Sequence, residues 1–405
     1  MATKTKTTAR STATQYIGID VHCQFCEGGV IDSLGRESGQ FNVATSIPTL
    51  LEVIEKVRRP RTVVIEEGPL ADWLYRHLAP HVDEMIVCDP YRNALIAKEG
   101  DKSDAIDWRK LAHLCRGGYV KAVHQRQSLA RSMLKQHVQV YHDRVRHRVS
   151  EANKILWRVR RLGVFVTEAD LKDDARRQAM LEQLPGGGQA NQRQQDGKDN
   201  SNGNSNSKGT TDGKGKDNSK GNSNDKDAAS DSGSVIRQDV QLLLKGYDLA
   251  AEQVTELRRR LVTLGKQEPI IRAFCELPGV SWVRAASFFV MVDTPFRFAS
   301  KQKLWKYAGI GLERHQSGNG PVRLRVPRRC NRVLKNVLLG AAKSAAASKD
   351  NVFADQYQRW LDAKCSPRIA RRNLARSQAT VMWGMWKSGS VFDPTMIGCS
   401  PAVIA

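Results

Sequence analysis

The chain has 405 residues, a formal net charge of +22 and a pI near 9.8, with 40% apolar and 26% charged residues. That composition supplies a core over most of the length and excludes a wholly disordered polymer. The longest clearly apolar stretch, Ala285 to Val292, falls far short of the ~18–20 residues that cross a bilayer, so no membrane partner is expected. The basic N-terminus carries no apolar segment, so no secretory leader is read and a reducing cytoplasm is expected. A surplus this positive points to a polyanion, nucleic acid above all. Cys23 and Cys26 form a CxxC, but no second pair or spaced histidines follow, so they read as neighbouring thiols in a strand.

In chain order, residues 1–14 read as a disordered basic tail. Residues 15–122 alternate strands and helices. Tyr16–Val21 is a short apolar strand, with Gly28–Asp32 and Gln40–Val43 as partners around a turn at Ser33-Leu34-Gly35. Ile47–Val57 predicts an amphipathic helix, Arg61–Ile65 a β-branched strand, Leu70–Leu78 a helix, Glu84–Val87 a strand and Asp104–Cys115 a helix. This order fits a mixed α/β sheet. Residues 123–185 and 235–267 carry apolar residues at helical spacing and predict an antiparallel helical stalk. The basic residues of its first limb, among them Arg144, Arg146, Arg148, Arg158, Arg160 and Arg161, suit either a solvated face or one that binds a phosphate backbone.

Between the two limbs, residues 186–234 are almost entirely small or polar. Seven Lys or Arg balance seven Asp there, and nothing larger than Ala could anchor the tract in a core, so it reads as a disordered polar insertion. Residues 268–395 look helical and strongly basic, followed by a tail at 396–405. From Lys301 to Arg376 eighteen Lys or Arg face four acids, so most of the molecule's surplus charge is concentrated here, as a nucleic-acid face requires.

Four acids stand out in the α/β segment. Asp20 ends the first strand and Glu66 another, while Asp104 and Asp107 lie three apart on one face of a helix start. Each alone reads as a solvated acid. Converging, they would repel one another without a cation, and together they suit one or two Mg²⁺ ions of the kind that catalyse phosphoryl transfer.

The residues YIGIDVH around Asp20, VVIEEGP around Glu66 and GDKSDAIDWRKLA around Asp104 and Asp107 resemble the D-E-D-D set of a RuvC-like, ribonuclease-H-like domain. That domain belongs to bacterial insertion-sequence transposases of the IS110 type, described as bridge-RNA-guided recombinases. The family pattern is roughly GID, IEATG and KTDxxDA. Here Glu67-Gly68-Pro69 replaces Ala-Thr-Gly and Trp108 stands where a small residue is usual. Lys102 of the third motif is assigned to nucleic-acid contact.

The C-terminal segment resembles the same family independently. Leu277-Pro278-Gly279-Val280-Ser281 is similar to its IPGIG turn, with Ser281 in place of the second glycine. That turn suits either a backbone-amide cradle for phosphate or a packing corner between helices. Gln316-Ser317-Gly318 matches the position of the family's nucleophilic serine; read without the family, Ser317 is a turn serine. His315 is a weak candidate for its general base. Arg323, Arg325, Arg328, Arg329, Arg332 and Lys335 follow as candidate phosphate contacts. Trp383 and Trp386 look like packing aromatics.

The resemblance implies a RuvC-like α/β domain, a helical hairpin stalk and a C-terminal α-helical basic domain. It implies a DNA transposase in which Asp20, Glu66, Asp104 and Asp107 hold Mg²⁺ beside Ser317, which links transiently to a DNA 5′ phosphate, with that serine drawn from the same or another protomer. Element-end and target DNA, a structured guide RNA, a homodimer or homotetramer and a nucleoid-associated location are further expectations. Two rivals stand beside it: a metal-only nuclease such as a junction resolvase, and a non-catalytic nucleic-acid-binding protein.

Overall fold

A computed structural model describes residues 13–91, 104–125, 128–185, 224–316, 318, 320–348 and 350–397. Two compact units emerge. The first comprises the chain up to Lys135 together with Phe289–Arg328 and Thr380–Ser390; the second holds Gln136–Phe288, Arg329–Ala379 and the C-terminal residues.

The first unit is built on a five-stranded sheet of β1 (Gln15–Val21), β2 (Phe25–Ile31), β3 (Glu37–Ala44), β4 (Arg61–Glu66) and β5 (Glu84–Cys88), in the order β3-β2-β1-β4-β5. β1–β2 and β2–β3 are antiparallel, whereas β1–β4 and β4–β5 are parallel. The parallel pairs follow from crossovers through α1 (Ile47–Glu55) and α2 (Ala71–Leu78). Side-chain alternation sends Ile17, Ile19, Val63 and Ile65 to one face, against Leu50 and Ile54 of α1 and Leu74 and Leu78 of α2. The opposite face carries Val64 and Cys88 beneath Leu111 and Cys115 of α3 (Asp104–Arg116). β4 is buried on both faces, as a parallel strand between helical layers must be. This is the mixed sheet of the RuvC-like class.

Two local devices hold this frame. Ser46 caps α1, and the buried guanidinium of Arg61 donates to the Glu55 and Val57 carbonyls at its C-terminus and to the His81 carbonyl. Asp293, at φ 70° beyond the end of a C-terminal helix, ties its segment to the first unit. His124 Nε2 lies 2.6 Å from Asp293 Oδ2, and Arg131 donates to the Asp293 carbonyl at 2.8 Å.

The second unit is helical. Its long helices α4 (Leu129–Arg161, which begins in the first unit) and α6 (Asn224–Lys266) run antiparallel: His137 of α4 meets the Leu257 carbonyl of α6, while Glu151 lies beside Gly246. Ile155, Val159, Leu244 and Tyr247 join Met180 and Leu181 of α5 (Asp174–Glu182) in one core.

Two expectations change here. The first limb is not helical through to residue 184; it stops at Arg161. Gly163, at φ 80°, donates to the Arg160 carbonyl and Val164 to the Val159 carbonyl, a Schellman stop sealed by buried Val159 and Val164. The polar tract, expected as loop to residue 234, is helical from Asn224 onward. A helix nucleated by the packed residues downstream extends at small cost per residue. Residues 1–12 of the expected tail, 186–223 of the insertion and 398–405 lie outside the described residues.

Beyond the long helices come α7 (Pro269–Phe274), α8 (Trp282–Val292), α9 (Lys301–Tyr307), α10 (Arg332–Ala347), α11 (Val352–Asp362) and α12 (Pro367–Ser388). The helical run is broken by one short antiparallel pair, β6 (Glu313–His315) and β7 (Arg323–Arg325). No helix among the described residues is long and apolar enough to cross a membrane.

Candidate active site

β1 and β4 run parallel with Ile19 opposite Ile65, so the next positions, Asp20 and Glu66, stand side by side where both strands end. Adjacent strands lie about 4.8 Å apart. Because Ile19 and Ile65 point to the α1/α2 core, alternation puts Asp20 and Glu66 on the face that α3 covers.

α3 is held unusually close to that face. A Cβ on Gly18 would overlap the Trp108 carbonyl oxygen, and one on Gly29 would overlap the Trp108 indole. The fully buried Trp108 thus fills the space that two glycines on neighbouring strands leave open. The unusual residue after Asp107 is matched by this glycine pair. Arg109 reinforces the contact by donating to Glu37 of β3 at 3.1 Å. Farther along α3, Ala112 and Cys115 pack with Tyr16, nearer the start of β1. The helix therefore runs antiparallel to β1, and its first turn, with Asp104 and Asp107, stands at the Asp20/Glu66 end of the sheet.

Asp107 is exposed; the Asp104 side chain, Lys102 and Ser317 lie outside the described residues. Asp20 Oδ2 is 3.1 Å from His22 Nε2, and the His22 ring packs on Phe25 with centroids 4.6 Å apart. His22 was not singled out from the sequence, although its place two residues after Asp20, just past the end of the strand, was the available signal. Among the described residues no group of three or more His, Cys, Asp or Glu converges on a metal-holding geometry. The donors at the sheet end are nevertheless carboxylate oxygens on two adjacent strand ends, with a third on the helix turn at the same end. Carboxylate oxygens are the donors a hard divalent cation takes, so the set suits one by its chemistry. The CxxC does not form a ligand pair: Cys26 is buried against Thr45, its thiol pushed up by burial, while Cys23 is exposed in the turn.

In the C-terminal segment of the same unit, β6 and β7 pair Glu313 with Arg325 and His315 with Arg323. His315, Gln316, Gly320, Pro321, Arg323 and Arg325 line a cleft of about 430 Å³. Lys306 reaches back to Glu313 at 2.8 Å, and Gly318 takes φ 52°, a left-handed turn that glycine adopts without strain. Arg323, Arg325 and Arg328 are exposed in the first unit; in the second, Arg329 and Arg332 are exposed and Lys335 is half-buried.

The Leu277–Ser281 turn is a packing corner. Gly279, at φ 81°, presses against α10, where a Cβ would overlap the Ala341 carbonyl, and Arg284 donates to the Gly279 carbonyl at 2.6 Å and to Ser344 at 2.9 Å. Trp383 donates to the Pro295 carbonyl at 2.6 Å and the Trp386 ring lies 5.0 Å from Phe289, so both indoles pack as the sequence suggests.

Comparison with known proteins agrees with this architecture. A DEDD transposase family model of the IS110 type matches residues 17–160, and the model of the transposase IS116/IS110/IS902 family matches residues 271–358. Among curated proteins, the transposase for insertion sequence element IS1111A of Coxiella burnetii (strain RSA 493 / Nine Mile phase I) is 26% identical over 144 residues. That match covers 32% of this chain and 39% of the relative's length. The two family matches take in the strand ends that carry Asp20 and Glu66, the α3 turn with Asp107 and the β6–β7 pair, and together they span more than half of the sequence: the chain belongs to the IS110-type insertion-sequence transposases.

Proposed function

We propose that the protein is a DNA transposase that cuts and rejoins strands through Ser317, with Asp20, Glu66, Asp104 and Asp107 holding Mg²⁺. The observation that carries this reading is the placement of Asp20 and Glu66 side by side on parallel strand ends, beneath a helix whose first turn brings two more aspartates to the same end. A Mg²⁺ ion held by Asp20, Glu66, Asp104 and Asp107 would supply charge neutralisation for phosphoryl transfer. Ser317 Oγ attacks the phosphorus and loses its proton to solvent or a base. The P–O3′ bond breaks and the departing O3′ takes up a proton, leaving a 3′ hydroxyl on one strand and a 5′ phosphate esterified to the serine. Attack by the 3′ hydroxyl of a second strand reverses the step and frees the serine.

Arg323 and Arg325, exposed beside the cleft next to this loop, hold the phosphate backbone by charge and bidentate geometry; Arg328, Arg329, Arg332, Lys335 and Lys102 are further phosphate contacts in the family reading. A structured guide RNA and a homodimer or homotetramer belong to the same reading, through the family. The test is cleavage of element-end DNA with and without Mg²⁺ by wild type, Asp20→Asn and Ser317→Ala. Both variants should lose at least about 10³-fold in cleavage while retaining DNA binding, and only wild type should trap a covalent protein–DNA adduct. Full cleavage by Ser317→Ala would instead identify a metal-only nuclease.

A further inference from the structure

We propose that the C-terminal end of α4 is a docking surface for unpaired DNA, with bases stacking on Trp157 and phosphates meeting Arg158, Arg160 and Arg161. It rests on the strand-exchange reading above, because exchange unpairs DNA around the break. Trp157 is 57% exposed, and Phe165, just beyond the helix end, is 85% exposed. An exposed aromatic ring offers a face on which a nucleic-acid base can stack. The Arg161 guanidinium lies over the Trp157 ring, 4.7 Å from its centroid. Among the described residues Arg158 and Arg160 donate to the backbone carbonyls of Lys154 and Val166.

Among the described residues none of these three arginines has a carboxylate partner. Farther down the same face, Arg146 and Lys154 are neutralised by Asp143 and Glu151. An open cleft of about 500 Å³ continues along that face past Lys154, Asn153 and Ser150. Cations near a helix C-terminus complement its dipole. That accounts for the arginines and leaves the exposed indole and phenyl unexplained. A second copy would set three uncompensated guanidiniums against three more, a repulsive pairing across a two-fold interface. A duplex hides its base faces. An unpaired strand offers both a π-face for the indole and phosphates for the arginines.

The test uses the full chain and fluorescence anisotropy with labelled oligo-dT, a duplex of equal length and oligo-U. Trp157→Ala should weaken oligo-dT binding roughly 5- to 100-fold and duplex binding by less than about twofold, with Trp157→Phe retaining most of the affinity. Replacing Arg158, Arg160 and Arg161 by Ala should flatten the salt dependence of oligo-dT binding. Unchanged melting in each variant shows that the fold is intact. Unaltered oligo-dT affinity in Trp157→Ala overturns the proposal, as does an equal loss on duplex. A loss confined to oligo-U assigns the surface to RNA, and a change in oligomeric mass assigns it to a second copy; either result also overturns it. If wild type neither binds nor cuts DNA, the transposase reading fails first; if it cuts normally and Trp157→Ala is indistinguishable, only the docking surface fails.

Discussion

The acidic and basic halves of the candidate machinery are built in opposite ways. Asp20 and Glu66 are held by strand register, with buried residues immediately before them and a helix locked over the strand by Gly18, Gly29 and Trp108. Arg323 and Arg325 lie on an exposed three-residue strand with little beneath it. On the proposed function these carboxylates share a cation and need positions fixed to fractions of an ångström, which strand register supplies. Cations that grip a polymer backbone need density and reach, and an exposed hairpin supplies both.

That contrast is broken most sharply at the glycine under the helix. Gly18→Ala should push α3 away from β1, lowering stability by about 1–3 kcal/mol, visible as a drop in the thermal midpoint. Cleavage should fall further than the lost stability accounts for. A variant that melts and cleaves like wild type would mean that α3 does not depend on this contact.

Next comes Arg61→Met, which removes the donor shared by three carbonyls at the ends of α1 and the following crossover. A loss of about 1–3 kcal/mol in denaturant unfolding is expected, with intrinsic DNA affinity unchanged in the folded fraction.

On the basic side the expected effects are gentler and additive. Arg323→Ala and Arg325→Ala should each leave melting unaltered and reduce the slope of log K against log salt by about one. A large stability loss at either position would show that the hairpin is a packed element after all.

The smallest effect concerns Asp170, whose carboxylate accepts from the Thr167 hydroxyl and amide and from Arg176, bonds that lower its pKa to about 2. A depressed carboxylate contributes stability above its unfolded pKa and loses it as pH falls toward the folded value. Titration followed by NMR should therefore find a midpoint near 2, with local loosening at Thr167–Arg176 only below about pH 4. Thr167→Val should move that midpoint upward.

The α/β segment was legible because each of its elements announces itself locally. An apolar run marks β1 and a β-branched run β4, amphipathic spacing marks α1, and the paired aspartates open α3 where the sequence places them. The Schellman stop at Gly163 was signalled by the one glycine in the long limb, yet its meaning depended on Val159 and Val164 meeting the same core. The β6–β7 pair was not legible: three-residue strands are too short for a period-two pattern to show. The Leu277–Ser281 turn reads equally well as an anion cradle or a packing corner until α10 is seen against Gly279.

Charge segregation, the order of strands and helices and the acidic residues at strand ends are properties of local composition and spacing, and they could be read from the chain alone. Which acids become neighbours depends on the pairing of β1 with β4, residues far apart in sequence, and on a tryptophan that fits only because two glycines on adjacent strands lie opposite each other. Contacts of that range are selected by packing and register across the whole sheet, information that no window of the sequence contains.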